Sequence, residues 1–147
     1  AIFEPGEYEV NNIPIQSHAI KLNTENLDES TNIYSVISEG LTICYLNEIS
    51  KISIPAGVTE SIGKIDILIC ISNDSSDQSV ESINALLSSL DPKILIIAEK
   101  DSKQDTTEIY EKLIKGLGQS SEDSISNANI TKSGISEALK VLNLRKS

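Results

Sequence analysis

The sequence predicts an α/β fold, a mixed β-sheet with helices packed against it, for a chain of 147 residues. Two nearly continuous apolar runs, IDILICIS at 65–72 and ILIIA at 94–98, predict parallel strands buried on both faces. The apolar residues between these runs recur at helical spacing, which predicts a crossover helix. Alternating apolar residues near the amino terminus predict antiparallel hairpins, so the sheet is expected to be mixed.

The first third of the chain predicts two hairpins. In the first, strands at 8–10 and 13–15 flank Asn11 and Asn12, and asparagine tolerates the positive φ that a tight turn needs. In the second, strands at 33–38 and 41–46 flank Glu39 and Gly40. The polar, acidic stretch at 22–31 between the hairpins predicts a loop.

The middle of the chain predicts a strand, a crossover helix and a second strand. A connection at 50–63, with a helical turn at 59–62, leads into the first apolar run. Ser75 and Gln78 are placed as a capping box for the crossover helix, and Asp91 with Pro92 ends it. A further helix is predicted over 105–116, followed by short strands around Ile125, Ile130 and 138–144.

Length and charge restrict the function. The length predicts a single domain, residues 1–147. The net charge is −10 at pH 7, so neither nucleic acid phosphates nor anionic membrane surfaces are expected partners. No apolar run approaches the about 20 residues of a membrane span, and no secretory signal pattern is seen, so a cytoplasmic location is expected. Cys44 and Cys70 each lie within an apolar strand pattern and are expected to be buried free thiols.

Four segments together indicate a family. They are EPGEYEVNNIPI at 4–15, TNIYSVISEGLTICYLNE at 31–48, IGKIDILICIS at 62–72 and LDPKILIIAEK at 90–100. In order and spacing they resemble the carboxyl-terminal part of the metallo-β-lactamase superfamily, and most closely its small stand-alone hydrolase-like branch. The resemblance implies a partial or half sandwich, because the family's full fold is two sheets covered by helices.

The resemblance also implies positions for metal ligands, and this sequence departs from the family there. The family's strand-end aspartate falls at Glu48, with Asn47 in place of a glycine, and the preceding histidine falls at Tyr45. The last metal-binding histidine falls at Glu99. The amino-terminal H-x-H-x-D-H motif has no counterpart in this sequence. The single histidine, His18, does not register with a family ligand and is expected to be a surface or turn residue.

The candidate metal ligands are therefore Glu48, Glu99 and His18. A hydrolytic zinc site needs about three imidazoles or carboxylates around an open position, which lowers the pKa of a bound water to near neutral. Two carboxylates with one histidine form an oxygen-rich set that suits Mg²⁺, Ca²⁺ or Mn²⁺ better than Zn²⁺. The simpler interpretation makes Glu48 and Glu99 solvated acids at strand ends. No cofactor is then expected, and the alternative is a divalent metal, Mn²⁺, Mg²⁺ or Zn²⁺.

Three functional hypotheses remain. The favoured one is a non-catalytic, degenerate metallo-β-lactamase-like domain with a structural or protein-interaction role, with no catalytic residues. Half of a two-sheet fold would leave an apolar sheet face uncovered, so a homodimer or a protein partner that supplies the other half is expected. The alternative is a metal-dependent hydrolase, or a segment of one. A third hypothesis is a small-ligand site at the strand ends, 72–76 and 99–101.

Overall fold

A single seven-stranded sheet organises the computed structural model, which describes residues 5–21, 30–46, 54–71, 77–98, 107–119, 122, 125–136 and 138–144. The strands lie side by side in their chain order. They are β1 (Gly6–Val10), β2 (Ile13–Lys21), β3 (Ser30–Ser38), β4 (Leu41–Leu46), β5 (Ile67–Ile71), β6 (Ile94–Ala98) and β7 (Lys140–Leu144). Strands β1 to β4 pair antiparallel, and β4 to β7 pair parallel, so the expected mixed sheet is confirmed.

Helices connect the parallel strands. Within the described residues they are α1 (Ala56–Ile62), α2 (Asp77–Leu90) and α3 (Thr107–Gly116). All three contribute buried residues to the same core cluster, which places them on one face of the sheet. Successive crossovers of one hand between strands that are neighbours in sequence require this arrangement.

Both hairpin turns lie where the sequence predicts them. Asn11 and Asn12 have φ values of 50° and 65°, and Val10 pairs with Ile13 on either side of them. Glu39 and Gly40 have φ values of 52° and 78°. Two successive positive φ values define the turn that matches the right-handed twist of the flanking strands. The turns thereby fix the register of β1 with β2 and of β3 with β4.

The parallel half confirms the predicted strands and shows longer helical structure than expected before β5. The predicted turn at 59–62 is a helix that begins at Ala56. Helix α2 ends at Leu90, before Asp91, which has a φ of 45°, and Pro92. The predicted capping by Ser75 and the predicted helix residue Asp105 lie outside the described residues.

Successive strand residues point to opposite sides of the sheet, so the register defines two faces. We call the face beneath the helices the helix face. It includes Ile20, Ile33, Cys44, Leu46, Leu68, Cys70, Leu95, Ile97 and Val141. We call the opposite face the open face. It includes Tyr8, Val10, Ile13, Ile15, Tyr34, Val36, Leu41, Ile43, Tyr45, Ile67, Ile69, Ile71, Ile94, Ile96, Leu142 and Leu144.

The chain between α3 and β7 passes to the open face. We call residues 125–136 the strap. Its Ile130 and Ile135 pack against the buried cluster on the open face. The expected short strands are only partly observed: Ile125 forms a single parallel bridge to Leu144, and Ile130 lies outside any strand. Hydrophobic packing onto the sheet, rather than strand pairing, therefore holds this segment.

Candidate functional site

The strands that lead to Glu48 and Glu99 are described, whereas the two glutamates themselves lie outside the described residues. Strand β4 ends at Leu46 and β6 ends at Ala98. Leu46 pairs with Cys70, which pairs in turn with Ile97. Because β4 and β6 are parallel and their paired residues are aligned across the sheet, the carboxyl ends of both strands lie at the same end of the sheet. The expected ligand segments at 72–76 and 99–101 also lie outside the described residues.

His18 lies in the middle of β2, so the prediction of a surface or turn histidine is wrong. It pairs with Ile33, which places its side chain on the helix face. The side chain is partly buried, and its Nε2 atom is buried without a hydrogen-bond partner in the described part of the chain. A signal for this position is present in the sequence, because His18 stands two residues before Ile20 and strand periodicity puts both on one face.

The spacing of the strands separates His18 from the strand that leads to Glu99. His18, Ile33, Leu46, Cys70 and Ile97 form one row across five strands. Four steps of about 4.8 Å place the backbones of His18 and Ile97 about 19 Å apart. His18 and Leu46 are two such steps, about 10 Å, apart. Of the two strand ends, His18 is therefore nearer to the one that precedes Glu48.

The described residues do not by themselves fit a metal ion. Within those parts of the chain, no three His, Cys, Asp or Glu side chains lie close enough to hold one. The buried Nε2 of His18 is a donor atom of suitable chemistry, but one imidazole does not make a site. Tyr45, at the position of a family histidine, lies on the open face and packs against Tyr34, with ring centroids 6.2 Å apart. Its phenol ring is held in an aromatic contact.

The open face is mostly apolar and carries no described carboxylate; its polar strand positions include Ser17, Asn32 and Ser38. Every Asp and Glu of the described residues lies outside the open-face strand positions, although the chain as a whole contains 22 acidic residues. The large apolar side chains of this face become more exposed toward β1, while Ser17 on β2 stays buried. Ile67, Ile94 and Ile96 are buried beside the strap, whereas Val10 and Ile13 are 48% and 36% exposed.

The helix face is closed by comparison. Ile33, Leu46 and Leu68 have no exposed surface. Cys44 and Cys70 are free and buried there, which confirms the prediction. Burial raises the pKa of each thiol to about 12, and for Cys44 it does so against a hydrogen bond with Ser35. The thiols are therefore protonated at neutral pH and are poor nucleophiles and metal ligands.

An ion pair pins the strap to the sheet. Lys132 donates from Nζ to Oδ1 of Asp66 over 2.8 Å, and the backbone N–H of Thr42 donates to Oδ2 over 2.9 Å. Burial by itself raises the pKa of Asp66, but the hydrogen bonds from Lys132 and Thr42 and the charges of Lys132 and Lys64 outweigh it. The net result is a pKa below the ordinary value of an aspartate.

The sequence carries a signal for one residue of this ion pair, Asp66, and none for the other, Lys132. Asp66 interrupts an otherwise apolar strand run, and that charge is a signal that the sequence interpretation passed over. Lys132 follows 66 residues later in a polar stretch without periodicity. Asp66 lies at the amino-terminal end of β5, away from the carboxyl edge where ligands collect in such sheets. We therefore assign the pair to the attachment of the strap.

A small pocket lies between the strap and the sheet. Its volume is about 280 Å³, and it is lined mainly by Ile94, Ile125, Ile130 and Leu142, with Lys140 and Thr131 at polar positions.

No helix in the described part of the chain is long and apolar enough to cross a membrane.

Comparison with known proteins supports the fold. No protein-family profile matches the sequence, and no curated protein sequence matches it. Among solved structures, the chain is similar to a protein from Thermotoga maritima described as a candidate Zn-dependent hydrolase of the metallo-β-lactamase superfamily. The TM-score is 0.67 at 17% identity, over 99% of this chain and 72% of that chain. The α/β fold with a metallo-β-lactamase-like topology is thereby confirmed.

Proposed function

We propose that this chain is a non-catalytic domain of metallo-β-lactamase-like fold that acts through protein interaction, with the open face as its contact surface. The observation that carries the proposal is the open face itself. It presents apolar side chains on neighbouring strands from β1 to β5, and the strap packs against the buried cluster that residues of β4 to β7 form on this face. Apolar patches on soluble monomers rarely exceed a few hundred Å², and larger ones mark interaction sites.

The residue substitutions at the family's ligand positions support the non-catalytic part. The resemblance implies histidine, aspartate and histidine where this chain has Tyr45, Glu48 and Glu99. A tyrosine that packs on Tyr34 does not replace a neutral imidazole as a metal ligand. Hydrolysis in this class of fold depends on a metal-bound water of lowered pKa, so a chain that lacks the ligand set lacks the nucleophile.

Metal content and dye binding test the proposal together. The full chain is purified without chelator and analysed for metal per chain, before and after incubation with Zn²⁺ and Mn²⁺. We expect well under 0.1 metal ion per chain and no hydrolysis of ester or phosphodiester substrates. We also expect an apolar fluorescent dye to bind at micromolar concentrations of protein. Near-stoichiometric metal with hydrolysis would overturn the non-catalytic part, and absence of dye binding by a monomer would overturn the interaction part.

One observation favours a second candidate, a metal-dependent hydrolase that uses Glu48, Glu99 and His18. The buried Nε2 of His18 has no partner within the described residues, and a ligand atom in that state is what an absent ion would leave. An oxygen-preferring divalent ion suits this donor set. The variants Glu99→Gln and His18→Ala test it. If retained metal falls in both while the exposed-acid control Glu111→Gln keeps it, the hydrolase is the better proposal. Unchanged metal content in all three would remove this candidate.

A further inference from the structure

We propose that the open face is covered by a second copy of this chain, packed sheet against sheet about a two-fold axis near β3. This inference rests on the proposed interaction role and names the partner. The product has four layers: helices, sheet, sheet, helices. Each copy contributes one helix layer and one sheet, and the two open faces form a shared core about 10 Å thick.

Charge selects a like copy over a partner of opposite charge. The chain carries −10, yet the described strand positions of the open face contain no Asp or Glu. A basic partner would find no carboxylate to pair with on this face. A two-fold interface places a patch against itself, and an uncharged apolar patch meets its own copy without like charges opposed. The acidic residues of both copies remain in solvent.

The uncovered part of the face suits a weak, concentration-dependent dimer. The strap packs against the face from β4 to β7, so among the described residues at most β1 to β4 stay uncovered. Four strands spaced about 4.8 Å apart span about 19 Å, and strands of about six residues span about 20 Å. The flat footprint is thus about 380 Å², the accessible surface of a corrugated face is larger, and a standard stable interface buries about 800 Å² on each partner. Tyr34 on β3 and Tyr45 on β4, which are in ring contact, are of a residue type enriched in interface cores.

The alternative of pairing at the sheet edge is unfavourable. Strand β1 forms the edge, and its Glu7 and Glu9 are both exposed. Two β1 strands side by side in antiparallel order would bring four carboxylates close together. Charged residues on an edge strand are a common protection against such pairing. At the other edge, the bridge from Ile125 to Leu144 already occupies the end of β7.

Two neighbouring residues of β3 provide a matched test. Val36 lies on the open face and is partly buried, whereas Ile37 lies on the helix face at a position that is 52% exposed. Sedimentation equilibrium of the full chain between 1 and 200 µM measures the mass. We expect twice the 15.9 kDa chain mass at the upper concentration. Val36→Glu should raise the dissociation constant of the dimer at least about 100-fold, because it buries an unpaired charge. Ile37→Glu should change that dissociation constant by less than about threefold.

A second measurement avoids a charged substitution. Val36→Cys should react with a maleimide at 1 µM and become protected at least about tenfold at 200 µM, whereas Ile37→Cys should react equally at both concentrations. Cys44 and Cys70 are buried and do not compete. A dimer that Val36→Glu leaves intact would overturn the proposal, and so would an open-ended aggregate.

The failure of this inference is distinguishable from failure of the interaction role. A wild-type monomer at 200 µM that still binds an apolar dye, with binding lost in Val36→Glu and kept in Ile37→Glu, overturns the second copy and leaves the interaction role. A monomer that binds no dye overturns both.

Discussion

The two faces of one sheet differ in burial although the same strands form them. On β5, Leu68 has no exposed surface on the helix face, while its neighbour Ile69 on the open face is only partly buried. The difference lies in what covers each face. Helices α1, α2 and α3 cover one face, and the strap covers part of the other. A continuous apolar run in a strand therefore indicates that both faces of the strand are buried in the functional protein. It does not indicate that segments of the same chain cover both faces.

The difference in burial between the two faces also changes along the sheet. Near the strap, Ile94 and Ile96 are as buried as residues of the helix face. At the far end, Val10 and Ile13 are exposed, and no described segment lies over them. At that end the helix face is polar, because Glu7 and Gln16 occupy its strand positions in place of apolar residues. The open face thus keeps its apolar character beyond the part that the chain itself covers, which is the pattern of a contact surface.

Thiol labelling gives the largest expected contrast between the faces. At pH 8 and 1 µM protein, Cys44 and Cys70 should react at least about 1,000-fold more slowly in the folded chain than in urea. They are buried, and their pKa is raised to about 12. Ile43→Cys, one residue from Cys44 on the open face, should be protected less than about tenfold. Mass spectrometry locates the labels, and equal protection of all three thiols would show that the open face is closed.

Truncation of neighbouring residues on β5 should give the next largest difference. We expect Leu68→Ala to lower the free energy of unfolding by about 2–5 kcal/mol, because it leaves a cavity in the closed core. Ile69→Ala should cost about 1 kcal/mol at 1 µM, since solvent already reaches that side chain. Urea unfolding monitored by circular dichroism measures both. Equal costs at this concentration would contradict the distinction between the faces.

Release of the strap should have a smaller effect that depends on pH. Lys132→Ala leaves the buried Asp66 without its ammonium partner, so we expect a loss of about 1 kcal/mol at pH 7. The exposed control Lys115→Ala should lose no more than about 0.3 kcal/mol, the contribution of a cation in the last turn of α3. Because the folded pKa of Asp66 is lowered, its stabilisation is present above its unfolded pKa of about 4 and is lost as the pH falls toward the folded value.

Urea unfolding at pH 7, 5 and 3 tests this direction of the pH dependence. The difference in the free energy of unfolding between wild type and Lys132→Ala should be constant from pH 7 to 5 and should become smaller at pH 3. Apolar dye binding should rise in Lys132→Ala, because a loosened strap exposes more of the open face. A gap that widens on acidification would contradict the assigned role of the pair.

The turn between β3 and β4 should give the smallest effect. Its residues set the register that sends each side chain to its face. Glu39→Asn should raise the free energy of unfolding by about 0.5 kcal/mol, because asparagine tolerates the observed φ of 52° better than glutamate. Gly40→Ala should lower it by about 1 kcal/mol, because a Cβ is strained at φ 78°. Thermal unfolding measures both, and a stabilising Gly40→Ala would contradict the turn geometry.

Local patterns predicted most of the fold. Asn-Asn and Glu-Gly gave the two turns, and the apolar runs gave β4 and β6 at their observed bounds. The candidate site was less accessible to sequence. His18 was expected at the surface, yet it is partly buried in mid-strand, because one polar residue in an alternating strand does not show which face the helices will cover. The ligand set of Glu48, Glu99 and His18 stays a prediction.

The sequence alone determined most elements of this protein and the register within its two hairpins, because hydrophobic period and backbone preference act over a few residues. It also determined that the thiols are buried and that the chain is acidic. Only the tertiary structure decided which face of the sheet the helices cover, that residues 125–136 cross the other face, and that Lys132 meets Asp66. Contacts between residues so far apart in the chain depend on how whole elements pack, and no short sequence pattern carries that information.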